Sequence, residues 1–259
     1  MVVFFMIDGL RPDAIDVARC PNLVAQKTRG ASTLSASSVM PSITLPCHMS
    51  IFHSVPPTRH GVTSNDWSPM ARPLPGLADV AKAAGLACAF FYNWEPLRNV
   101  SRPGSLSMTW FRDNVLTEQG DQAVAEAAAE ALSSHHFDFA FVYFGTVDET
   151  GHAHGWLSDH YFAQLERVDR ALGTVLASLP DDAHVLIHAD HGGHDRSHGT
   201  PSPEDMTLDS WKLKEAASPK LPTPWPFQKV PCWWAQSSIR KILCFLQSCT
   251  SLVMSVTQP

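Results

Sequence analysis

Four short segments, far apart in the chain, carry side chains able to bind divalent metal ions. They are Asp8-Gly9, Thr44-Leu45-Pro46-Cys47-His48, Asp148-Glu149-Thr150-Gly151-His152, and Asp190-His191-Gly192-Gly193-His194 with His198 close behind. Carboxylates and imidazoles with a hydroxyl among them suit hard-to-borderline ions, Zn²⁺ first and Mn²⁺ second. Asp148 and His152 stand four residues apart, so a single turn of chain brings both to one ion. Asp190 and His191 are adjacent and leave an extended strand on opposite faces. A turn at Gly192-Gly193 must therefore bring both to one ion. His194 and His198 compete for a last ligand place. The pattern points to a two-metal hydrolase. Each residue also has a plainer reading: Asp8 as a strand-to-turn carboxylate, Thr44 as a helix N-cap, Asn65 as a turn residue in Ser64-Asn65-Asp66, and Asp148 with His152 as loop and surface groups.

The elements that would position these residues follow from apolar patterning. Val2 to Ile7, Leu86 to Tyr92, Phe137 to Phe144 and His184 to His188 are short apolar runs of the kind buried in parallel sheets. Helical stretches are expected over Pro12 to Thr28 (interrupted near Cys20-Pro21), Thr44 to Phe52, Leu77 to Ala84, Asp121 to Ser134 with Asp121 as N-cap, and Ser158 to Leu179 with Ser158 as N-cap. Strands alternating with helices predict an α/β fold, a mostly parallel sheet with helices on both faces. Asp8, Asp148 and Asp190 follow apolar runs, and strand ends are where such a sheet builds its site.

On these residues the chain resembles the alkaline phosphatase superfamily, in particular its branch of type I phosphodiesterases and nucleotide pyrophosphatases. Ile7-Asp8-Gly9-Leu10-Arg11-Pro12-Asp13 is similar to that branch's first metal motif, and Met40 to His48 to its nucleophile motif. Arg59 to Asn65 is similar to the segment that brings a phosphate-contacting Asn, and Val147 to Gly155 and Ala189 to Thr200 to the two later metal motifs. The likeness covers roughly residues 1 to 207, with the motifs in the family's order. It implies one metal held by Asp148, His152 and His198, and another by Asp8, Thr44, Asp190 and His191. It implies Thr44 as a metal-activated nucleophile forming a phospho-threonine intermediate, and Asn65 as a donor to a non-bridging phosphate oxygen. His198 fits the superfamily pattern better than His194, and His48 is a structural neighbour. The implied substrate is a small phosphate ester with a phosphodiester or pyrophosphate bond. The rivals are a phosphomonoesterase or a phosphonate or sulfate ester hydrolase on the same site, and an inactive metal-binding homologue with a disrupted C-terminal core.

Composition sets the outer bounds. The 259 residues suffice for a sizeable core. A formal net charge of −6 argues against a nucleic-acid scaffold. With neither a signal peptide nor a run of 18 apolar residues in view, the cytosol is the expected location, with no membrane span. Six cysteines without CxxC spacing read as reduced thiols. The chain divides into a hydrolase domain over 1–207 and a divergent Pro/Trp/Cys-rich tail over 208–259. From Trp211 onward, six basic residues and one acidic residue give +5, which leaves −11 for residues 1–210. That tail fits neither the strand nor the helix period and is expected to pack poorly.

Overall fold

A computed structural model describes residues 1–213. Its seven strands are β1 (Val2–Ile7), β2 (Gly30–Ser37), β3 (Cys88–Tyr92), β4 (Met108–Phe111), β5 (Phe139–Phe144), β6 (His184–His188) and β7 (Thr207–Leu213). They form one sheet in the order β2-β7-β6-β1-β5-β3-β4. The five from β6 to β4 are mutually parallel; β7 runs antiparallel to both β6 and β2. The α-helices are α1 (Pro21–Arg29), α2 (Thr44–His53), α3 (Pro57–His60), α4 (Leu77–Ala83), α5 (Gly120–Ser134), α6 (Thr146–His154), α7 (Asp159–Ser178) and α8 (Pro203–Met206). The α/β architecture with a parallel sheet between helices is the one expected. No helix among the described residues is long and apolar enough to cross a membrane.

The sequence of β1 is apolar throughout because both of its faces are covered. Val3, Phe5 and Ile7 pack with α5 and α7 residues such as Val124, Ala128, Leu165 and Leu172. Val2, Phe4 and Met6 face the other way, onto Leu45, Met49 and Phe52 of α2 and Leu77 of α4. This is the period-two alternation of a strand buried on both sides. An aromatic cluster sits under α2: Phe141 lies edge-on to Phe52 at 4.9 Å and to Phe90 at 5.2 Å, and is tilted against Phe4 at 5.7 Å. Such pairs add about 0.5–1.5 kcal/mol each beyond area burial, and here they fix the floor beneath Thr44.

α2 and α4 begin at Thr44 and Leu77 as expected, but two cap roles differ from the sequence expectation. Thr44 is the first helical residue of α2, not its cap; Ile43 holds the cap position and makes no side-chain cap bond. Asp121 lies inside α5, whose cap is Gln119. Its carboxylate accepts from the Gly145 and Thr146 amides at 3.0 Å each and from the Thr146 hydroxyl, so it caps α6 from a distance. Burial raises its pKa to about 6. Ser158 does cap α7, accepting from the Tyr161 amide. The expected break at residue 208 is crossed by β7, which carries the sheet to Leu213; residues 214–259 of the tail lie outside those described. Cys20, Cys47 and Cys88 are free, buried thiols; Cys232, Cys244 and Cys249 are also outside.

His60, at the end of α3, is 2% exposed and held as a neutral ring. The Val62 amide donates to its Nδ1 at 3.1 Å, and its Nε2 meets the Ser50 hydroxyl, whose own proton goes to the Pro46 carbonyl. Burial, helped by nearby His53, depresses its pKa to about 4. An unfolded histidine titrates near 6.5, so the unfolded chain takes up this proton first as pH falls. Stability from His60 is therefore whole above pH 6.5 and is lost progressively toward pH 4, by about 3 kcal/mol. In urea unfolding at stepped pH, His60→Gln should be less stable than the native protein at pH 7, with a gap that narrows by that amount toward pH 4. A constant gap would show that His60 is not held neutral.

Candidate metal centre

The structure brings the scattered segments together at the carboxyl ends of β1, β5 and β6. Asp8 is the first residue past β1, and its amide donates to the Phe144 carbonyl at the end of β5. Gly9, at φ +67°, turns the chain where a Cβ would strike Asp148 at about 2.9 Å. Asp148 and His152 lie one turn apart on α6, the helix that Asp121 caps. Asp190 and His191 follow β6. The loop after them returns through α8 into antiparallel β7, so it reverses direction at the site end of the sheet without crossing a face. His198 rides on that loop.

Two ligand groups result, each with its ligand atoms within 4.8 Å of one another: Asp148, His152 and His198, and Asp8, Asp190 and His191. In the first, His198 Nε2 is 3.1 Å from His152 Nε2 and 3.7 Å from Asp148 Oδ1, and His152 Nε2 is 3.4 Å from Asp148 Oδ2. In the second, His191 Nε2 is 3.2 Å from Asp8 Oδ1, 3.6 Å from Asp190 Oδ2 and 3.1 Å from Thr44 Oγ1. The His191 and His198 rings stack at 3.8 Å and join the two groups.

The hydrogen bonds around the groups fit them for cations. Each ligand histidine turns Nδ1 to a carbonyl oxygen: His152 to Arg196, His191 to Gly192 and His198 to Ser42, at 3.0, 2.8 and 2.8 Å. A carbonyl only accepts, so the proton sits on Nδ1 and the Nε2 lone pair is left for a metal. Asp8 Oδ1, Asp148 Oδ1 and Asp190 Oδ2 are buried without any hydrogen-bond partner. Three orphaned carboxylate oxygens beside imidazole lone pairs are costly unless a cation meets them. The electrostatics agree. Burial, with Asp190 and Asp148 nearby, drives the Asp8 carboxyl far above its usual range. Burial opposes charge on Asp148 too, but His152, His191 and His198 around it hold its pKa low. Asp148 in turn raises His152 to about 9, so an ion binding there would displace a proton from its Nε2.

The other predicted residues fall as follows. Thr44 opens α2 beside the second group, where the helix dipole favours negative charge. Asn65 stands on an exposed loop, and its Oδ1 accepts from the Leu45 amide at 3.0 Å. His48 is fully buried; its Nδ1 donates to the Thr44 carbonyl at 2.8 Å and lies 3.5 Å from Asp190. His194 is not drawn into either group but pairs with Asp205 at 2.7 Å.

Sequence reasoning passed over three residues. The Tyr143 hydroxyl donates to Asp8 Oδ2. Asp205, fully buried, accepts from His194 and from the Thr200 amide and hydroxyl, while its carbonyl takes the Gly192 amide. It thereby closes the loop that bears His198. Trp156 touches the segments that support both groups. For Tyr143 a signal was present, a polar atom inside an apolar strand.

Comparison with known proteins accords with this fold. Among solved structures, the fold matches an inactive variant of murine ectonucleotide pyrophosphatase/phosphodiesterase 5 in complex with AMP, at 17% identity and TM-score 0.63, over 74% of this chain and 56% of that one. It matches phosphonoacetate hydrolase from Sinorhizobium meliloti in complex with phosphonoacetate at 22% identity and TM-score 0.58, over 73% and 55%. A 2-O GAG sulfatase matches at 14% identity and TM-score 0.62, over 82% and 63%. The chain thus spans little more than half the length of the first two of these. No curated protein matches it. The family profile described as type I phosphodiesterase / nucleotide pyrophosphatase, however, aligns with residues 2–214, from the start of β1 to just past β7, and therefore contains every ligand described above. The chain belongs to the type I phosphodiesterase / nucleotide pyrophosphatase family.

Proposed function

We propose that the protein hydrolyses phosphodiester or pyrophosphate bonds of small phosphate esters, with Thr44 as nucleophile and with the two ligand groups as the residues that would hold divalent cations, Zn²⁺ first and Mn²⁺ second. The observation that carries this reading is the set of three imidazole Nε2 lone pairs and three orphaned carboxylate oxygens converging beside the Thr44 hydroxyl. Ions bound by the two groups would supply Lewis acidity, lowering the hydroxyl pKa and neutralising phosphate charge. Thr44 Oγ then gives its proton to solvent water and attacks phosphorus in line; the ester oxygen leaves with its bonding pair and takes a proton from solvent, and a phospho-threonine remains. Water attacks that intermediate, releases the phosphoryl product and restores the hydroxyl. Asn65, its carbonyl engaged by the Leu45 amide, presents its NH₂ to a non-bridging oxygen as charge develops. His191 and His198, stacked, keep the two ligand groups adjacent.

The test is a paired assay. With added Zn²⁺ or Mn²⁺, bis(p-nitrophenyl) phosphate should turn over faster than p-nitrophenyl phosphate. Faster monoester turnover would replace the diester reading with a phosphomonoesterase, and no turnover of either by metal-loaded, cooperatively melting protein would leave a binding homologue.

A further inference from the structure

We propose that Trp156 is the positioning residue of this centre: one indole that holds the three ligand-bearing segments in register and so sets the affinity of both ligand groups for their cations. The proposal rests on the reading of the two groups as metal sites. Trp156 follows α6 and its side chain is buried among those segments. Its Nε1 donates to the Gly9 carbonyl at 2.9 Å, directly behind Asp8. Its own amide donates to the Asp195 carbonyl at 2.8 Å, in the loop between His191 and His198. The flat of the ring lies on the backbone of Gly151 and Gly193, so close that a Cβ at either would meet ring carbons at 2.7 Å or 2.2 Å. Its plane stands edge-on to the His152 ring at 5.1 Å and is tilted by 66° to the His198 ring at 5.9 Å. A second donor, the Tyr161 hydroxyl, shares the Gly9 carbonyl at 2.9 Å.

These contacts demand a particular side chain. A broad apolar plane must fill the gap between two glycines, and an N–H on its rim must reach a carbonyl on the far side. Only indole offers both. Ordinary core packing explains the plane. It does not explain why the three backbones converging on it are the three that carry Asp8, Asp148 with His152, and His191 with His198. Groups that orient metal ligands from behind typically change metal affinity about ten- to a hundredfold when removed.

The experiment measures Zn²⁺ affinity of the full chain by chelator competition, with no substrate present, beside melting of the chelator-treated protein. Trp156→Phe keeps the plane and loses the N–H. Gly151→Ala leaves the indole intact and pushes against it from α6. Both should bind Zn²⁺ about ten- to a hundredfold more weakly while melting cooperatively without metal. Trp110→Phe, which alters a tryptophan packed on the core away from the site, should bind as the native chain does. Native affinity in either Trp156→Phe or Gly151→Ala would overturn the proposal, as would an equal loss in Trp110→Phe. If Trp156→Phe fails to fold, Gly151→Ala decides alone. A native chain that binds no Zn²⁺ would instead overturn the metal-site reading beneath it.

Discussion

Replacing Thr44 with alanine is expected to lower turnover by on the order of 10³-fold or more while leaving the fold in place. Among the described residues the nucleophile's neighbours are otherwise engaged: Cys47 is turned to Ser38 and Pro41, and Ser42 donates to the Thr200 carbonyl. The structural cost is small. Thr44 does not cap its helix, and alanine would forfeit the hydroxyl's hydrogen bond with His191, worth about 1 kcal/mol. The decisive measurement is kcat for the diester alongside a melting curve. An unchanged kcat would reject the nucleophile assignment; a collapsed melting transition would show that Thr44 is needed for the fold.

The second large effect is expected on metal removal. Protein purified without chelator should contain close to two equivalents of divalent metal. An ion present at about a thousand times its Kd adds roughly 4 kcal/mol per site. At about 2–4 °C per kcal/mol for a domain of this size, chelation should lower Tm by on the order of 10 °C or more. His198→Ala should retain one equivalent, because His198 belongs to one group. His194→Ala should retain both, because His194 is spent on Asp205. One equivalent or none in well-folded native protein would sink the two-metal site, and loss of an ion in His194→Ala would reassign the ligand.

The contrast between what sequence showed and what it hid has a physical basis. β1, β5 and β6 were legible because strands buried on both faces must be apolar at every position, and VVFFMI is. β2, with the sequence GASTLSAS, was not: among the described residues it is an edge strand, paired only with β7, and edges carry polar residues. β4 is too short and too mixed to announce itself. Helix interiors and the starts of α2, α4 and α7 followed from the sequence, but the cap roles of Thr44 and Asp121 did not, since a polar residue near a boundary can serve another element, as Asp121 serves α6. The aspartates and histidines stood out because few other roles gather such groups after apolar runs. Trp156 and Asp205 stayed hidden because their importance lies in partners remote along the chain, such as Gly9 for Trp156, and spacing carries no trace of such a pair.

The central place of β1 has a consequence for how the protein is made. Val2 pairs with Phe139 on one side and His184 on the other. At a synthesis rate of about 5–20 residues per second, β1 waits on the order of ten seconds for its first neighbour and longer for its second. Throughout that interval its two backbone edges have no strand to pair with, the state in which nascent chains recruit chaperones or stick to one another. Asp8 meets Asp190 only when the second neighbour has docked. A ribosome-bound chain halted near residue 180 should therefore hold chaperone tightly and no metal, and the centre should come into being only after β6 has docked.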